Sequence, residues 1–220
     1  LESFRHEALG AGRLDHGSAF CAEVSRVDVN IDFFSRPLEK AIVREIMQWS
    51  NNALEKPSPS FNGLPPCPYA KKAWAEDKVA IIFKEEDSYQ ALYSCISRFE
   101  DYFDLAIVVD LANNKAPDQF HEYLDSINDF ISTGAFIDKD IWLMGFHPDD
   151  EPSEFVKDIS FDYEVDTAYS MIFVQRLSKL HEAADKLNKN GYYDSYASEY
   201  DASDIYEKRK KLYRRLKRWR

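Results

Sequence analysis

The sequence predicts an α/β fold: a small, mainly parallel β-sheet of three to four strands, built from β-α-β units with helices on both faces, plus a basic helix at the C-terminus. Three observations predict it. Apolar runs of strand length recur at Val79–Phe83, Leu105–Val109 and Ile141–Phe146. Amphipathic segments of helical period separate them. A fully apolar strand has both faces covered, which is the signature of a sheet sandwiched between helices.

The ordered pattern begins near Val27; residues 1–26 mix His, Gly, Arg and Ser without a period and read as a leader. Pro37 stands at a helix start, and Leu38, Ile42, Ile46 and Trp49 follow at helical spacing up to Asn51-Asn52. The stretch from Lys56 to Tyr69 carries five prolines and one glycine, which exclude helix and central strand alike and make it an irregular loop. Ser88 caps a helix bearing Leu92, Ile96 and Phe99, and Pro117 opens another whose inner face is Phe120, Leu124, Ile127 and Ile131, ending near Gly134.

After the third run an acidic loop extends from His147 to about Glu164, with Ile159–Tyr163 as a short edge strand. A helix from about Asp166 to Leu187 uses Ile172, Leu177, Leu180 and Ala184 as its inner face. Residues 27–190 thus form one domain, residues 191–204 a linker rich in Tyr, Asp and Ser, and residues 205–220 the basic helix.

Charge is unevenly spread. The formal net charge is −11, yet residues 205–220 carry nine Lys or Arg against the single acid Glu207, leaving −19 on residues 1–204. The basic helix sets Ile205, Leu212 and Trp219 seven apart, with Tyr213 and Leu216 beside them. This stripe either packs onto the acidic body, the reading electrostatics favours, or leaves the helix to bind nucleic acid or an anionic surface. No apolar run approaches the roughly 20 residues of a membrane span, and three widely spaced cysteines suggest free thiols, so a cytoplasmic location is expected.

Several residues could carry chemistry. Cys67, in Pro65-Pro-Cys-Pro-Tyr69, would become a thiolate if a helix began at Pro68 and turned its N-terminus on the sulfur; otherwise it is a small thiol in a stiffened loop. The glutaredoxin turn is set aside because Ala70 stands where that motif has its second thiol. His147 follows the third strand, at the carboxyl end where open α/β sheets place ligands, and begins His147-Pro-Asp-Asp-Glu151. That run resembles the zinc motif of the N-acetylglucosaminyl-phosphatidylinositol deacetylase family, which would give His147, Asp149 and Asp150 roles at a zinc ion; a capped acidic loop is the alternative. His121-Glu-Tyr-Leu-Asp125 lacks a third metal ligand and reads as the solvated face of its helix. Arg176, within an apolar segment, pairs with a carboxylate or anchors an anionic ligand.

Taken in order, these landmarks resemble an uncharacterised bacterial family, domain of unknown function 1415, built around a Leu-Cys-Pro-Phe-Ala motif. Gly63-Leu-Pro-Pro-Cys-Pro-Tyr-Ala-Lys71, Phe120-His-Glu-Tyr-Leu124, Gly145-Phe-His-Pro-Asp149, the Tyr169 to Arg176 spacing and Asp204-Ile-Tyr-Glu207 carry the likeness over about residues 38–216. The family's Asn-Arg-Ser-Pro segment is missing, and Phe173 stands where it has a helix histidine. The resemblance implies no activity. It does imply that Cys67, His147, Tyr169 and Arg176 meet in one pocket: Cys67 as a nucleophile or redox thiol, His147 as its base, and Tyr169 and Arg176 holding a small anionic ligand. The alternatives are an interaction protein using residues 205–220, and a metal hydrolase at His147–Asp150.

Overall fold

The computed structural model describes residues 25–26, 36–99, 102–150, 169–192 and 202–219. Leader residues 1–24 and the expected edge strand at Ile159–Tyr163 lie outside the described residues.

A two-residue strand, β1 (Ser25–Arg26), falls within the segment read as leader and pairs with Ile81 and Ala80. Helix α1 (Pro37–Trp49) starts at its proline, where the Arg36 N–H donates to Glu39 Oε2 at 3.2 Å, and it buries Ile42, Val43 and Ile46. A π turn, Ser50–Leu54, extends it past the two asparagines. The proline-rich loop holds one 3₁₀ turn, Pro59–Phe61, and leads into a six-residue helix, α2 (Ala70–Ala75). Then come β2 (Val79–Lys84), α3 (Gln90–Arg98), β3 (Leu105–Asp110), α4 (Pro117–Ser132) and β4 (Ile141–Phe146), all close to their expected places.

Besides β1, the segment before Leu177 departs from expectation. The segment read as a single helix from Asp166 is a strand, β5 (Ser170–Arg176), joined directly to helix α5 (Leu177–Lys189). β5 lies between β3 and β4, hydrogen-bonded to both, so Met171, Ile172 and Val174 are buried. Its β-branched and apolar run suits a central strand better than a surface helix.

The sheet order is β1-β2-β3-β5-β4. The α/β class holds, and β2, β3 and β4 all run in one direction as expected of β-α-β units. Because β5 inserts antiparallel between β3 and β4, only β2 and β3 form a parallel pair among the described strands, and the sheet is mixed. A hydrophobic cluster covers each face. One joins α1 to Val79, Ile81, Ile107, Val109 and Met171; the other joins α3 and α4 to Ala80, Ile82, Val108, Leu143 and Ile172. β4 is the outermost of the described strands on its side, and Asn128 of α4 brackets it: Asn128 Nδ2 donates to Leu143 O at 2.8 Å while Leu143 N donates to Asn128 Oδ1 at 3.0 Å. This spends backbone groups that an open edge would offer to another chain. Gly145 lets α4 approach, since a Cβ there would meet Leu124 and Phe120 at 2.5 and 2.7 Å.

The last helix, α6 (Ala202–Trp219), packs its stripe inward. Leu212 and Leu216 are buried beside Ile131, Phe136, Ile141 and Leu177. The side chains of Ile205 and Trp219 lie outside the described residues. Tyr192, within the expected linker, is buried; it stacks on Phe61 at 5.0 Å and its hydroxyl donates to Pro66 O at 2.5 Å.

Candidate functional site

The sheet has two poles. The carboxyl ends of β2, β3 and β4 and the start of β5 share one; the opposite ends, with Arg176, share the other. This separates residues expected together. Tyr169 and Arg176 would lie two turns apart on a helix, but along an extended strand they stand roughly 20 Å apart. Tyr169 donates to Glu45 Oε2 of α1 at 2.5 Å, and burial followed by that carboxylate pushes its phenol well above the usual range. At the far pole Arg176 donates to Phe103 O and Lys139 O, both at 3.1 Å, and lies 4.1 Å from the Phe99 ring. These bonds tie two loops to the sheet.

Cys67 and His147 do not share a hydrogen bond either. The Cys67 sulfur faces the N–H groups of Tyr69 and Ala70, as a helix-start thiol would, but burial outweighs them and pushes the thiol up. Helix α2 begins at Ala70 instead of Pro68 and has only six residues, too few for an appreciable dipole. His147 is buried, and both of its ring nitrogens are engaged by the backbone: Nε2 donates to Lys115 O at 3.0 Å, and Nδ1 accepts the Asp149 N–H at 3.1 Å. These partners assign the proton to Nε2 and leave no nitrogen to take a proton from a thiol.

The acidic turn after β4 is likewise a network of its own. Asp150 accepts the His147 N–H at 2.8 Å and lies 2.7 Å from His121 Nε2, while Asp149 is exposed. Among the described residues no group of three His, Cys, Asp or Glu side chains is arranged to hold a metal ion. The zinc expectation at His147, Asp149 and Asp150 therefore meets a histidine already committed on both sides.

Sequence reasoning missed the most unusual pair of charges. Lys84 and Asp110 end β2 and β3 at matching register positions, with Nζ 2.8 Å from Oδ1 and side-chain exposures of 2% and 0%. Oδ1 also accepts the Ala112 N–H at 3.2 Å, whereas Oδ2 is buried without a partner among the described residues. Ser170 sits opposite Asp110 on β5, and its hydroxyl accepts from Asn113 Nδ2 at 2.9 Å. The Tyr89 ring roofs the pair, 5.0 Å from Lys84 Nζ and 5.4 Å from Lys115 Nζ. Its phenol is pushed up to about 12, by burial first and then by Asp110. A signal existed: both apolar runs close on a charged residue at the same position, and two buried opposite charges at the ends of parallel strands must pair.

Helix α6 is the other concentration of charge. Opposite the Leu212 and Leu216 stripe, Lys211, Arg214, Lys217 and Arg218 are exposed. Lys208 and Arg215 turn to the body: Lys208 pairs with Asp129 at 3.6 Å, and Arg215 donates to the carbonyls of Ser132 and Thr133 at the end of α4.

No family model matches the chain, and neither a curated protein nor a solved structure gives a significant match. Among the described residues no helix is long and apolar enough to cross a membrane.

Proposed function

We propose that the protein is a non-catalytic interaction domain whose helix α6 holds nucleic acid by its phosphates. The observation that carries this reading is the exposed row Lys211, Arg214 and Arg218, spaced three and four residues apart on the face opposite the buried leucines. At 1.5 Å per residue the row spans roughly 10 Å, and its long side chains reach further, enough to meet neighbouring phosphates along a nucleic-acid strand. Arginine suits phosphate through its paired donors.

An anionic membrane is the weaker partner. An interfacial helix binds by burying an apolar face in lipid, and Leu212 and Leu216 are already spent on the protein core. The −19 carried by residues 1–204 repels a polyanion elsewhere and favours approach through α6. Thiol chemistry is not carried forward, because His147 has no free nitrogen and the Cys67 thiol is pushed up.

The test is fluorescence anisotropy of a labelled 20-base-pair DNA duplex and a single-stranded RNA of equal length, titrated with the full chain. One of the two should bind, and Lys211→Glu/Arg214→Glu/Arg218→Glu should weaken it at least about 30-fold, because several phosphates lose their cation and meet an anion instead. If neither probe binds wild type at low salt, or if the triple variant binds equally well, the reading fails. Binding only to anionic vesicles would assign the face to a membrane and also overturn it.

A further inference from the structure

Lys208 stands three residues before Lys211, which makes the two side chains neighbours on the surface of α6. With it, Lys208, Lys211, Arg214 and Arg218 follow one another at spacings of three, three and four, and the cationic row lengthens from roughly 10 Å to roughly 15 Å. Lys208 has an acid of α4 against it, Nζ lying 3.6 Å from Asp129 Oδ1.

Magnitudes decide how firmly that contact holds the lysine. The pair is longer than a hydrogen bond and its side chains are 49% and 65% exposed, so water and salt screen it and it is worth little. Arg215 is the contrasting case: it donates to the carbonyls of both Ser132 and Thr133, and its release would strip the end of α4 of that cap. A polyanion seated on Lys211, Arg214 and Arg218 brings a line of phosphates up to Lys208. The flexible lysine stem can turn its ammonium from one exposed carboxylate to them.

We propose that Lys208 is a further phosphate-binding residue of α6 and that Asp129 is its internal competitor: phosphate takes the place of the carboxylate when nucleic acid binds. On the reading of α6 as a nucleic-acid face, on which this rests, Asp129 limits the affinity twice. It neutralises Lys208 in the free protein, and it stands as an anion beside the arriving phosphates.

A double-mutant cycle tests it, read by fluorescence anisotropy of the full chain with the labelled 20-base-pair DNA duplex and the single-stranded RNA. With the probe that binds wild type, Asp129→Asn should tighten binding about three- to tenfold at about 50 mM salt, the effect of one anion lost and one cation released. Lys208→Ala should weaken binding about two- to fivefold. In the Lys208→Ala background the gain from Asp129→Asn should shrink below about twofold, because the cation it releases is then missing. Asp125→Asn, which removes an exposed acid one turn back on α4, should change affinity by less than about twofold. A gain from Asp129→Asn that persists undiminished without Lys208, or that Asp125→Asn reproduces, would make Asp129 a general repulsion and overturn the proposal. No gain from Asp129→Asn, where wild type binds, overturns it too and leaves α6 as the nucleic-acid face. If neither wild type nor Asp129→Asn binds either probe at low salt, the α6 reading falls and this proposal with it.

Discussion

Helices α4 and α6 lie against each other and spend their charge in opposite ways. α4 buries Phe120, Leu124, Ile127 and Ile131 and exposes Asp118, Glu122, Asp125 and Asp129; α6 buries Leu212 and Leu216 and exposes Lys211, Arg214, Lys217 and Arg218. Fields of opposite sign could have neutralised each other across the contact. Lys208 and Arg215 are spent on α4. Lys208 meets Asp129, and Arg215 supplies the end of α4 with the positive charge its own last turn lacks. Gly134 makes room for Arg215: with φ of +113°, it would place any Cβ 2.6 Å from the guanidinium. The apolar stripe therefore anchors the helix, and the row from Lys211 to Arg218 is left facing outward.

That division can be broken at its anchor. Leu216→Ala removes a side chain that is 3% exposed and should cost about 2–5 kcal/mol in urea unfolding, the range for buried leucine truncation. Arg215→Ala leaves the α4 carbonyls without their donor and should cost about 1–2 kcal/mol in the same assay. Lys208→Ala, removing a 3.6 Å pair between half-exposed side chains, should change stability by less than about 0.5 kcal/mol, and the difference should vanish in high salt. A Lys208 effect as large as that of Leu216 would mean that charge, and not the leucine stripe, holds α6 in place.

How much of this was legible in the sequence depends on where each signal resides. β2, β3, β4, α1, α3 and α4 were legible because each is bounded by a proline, a glycine or an apolar run of the right length. β5 was not. Arg176 passes directly into Leu177 with no breaker, so the spacing of Ile172, Leu177, Leu180 and Ala184 merged a strand and a helix into one period. That one merger placed Tyr169 and Arg176 on one helix, whereas their meeting with Cys67 and His147 in one pocket was an implication of the family resemblance alone. The antiparallel insertion of β5 is a matter of pairing between distant segments, which local periodicity does not encode. The inward packing of Leu212 and Leu216 was legible, being the favoured of two readings of a seven-residue spacing. The Lys84 and Asp110 pair was within reach, but its meaning depends on β2 and β3 being neighbours in matched register.

The outward charge of α6 is the central claim, and the salt dependence of nucleic-acid binding tests it most directly. Between 50 and 200 mM salt the logarithm of wild-type affinity should fall with a slope of about −3 per logarithm of salt, as expected when roughly three to four phosphates are neutralised. The Lys211→Glu/Arg214→Glu/Arg218→Glu chain should show residual binding with a slope near zero. A wild-type affinity that does not respond to salt, or a triple variant with the same slope as wild type, would contradict the account.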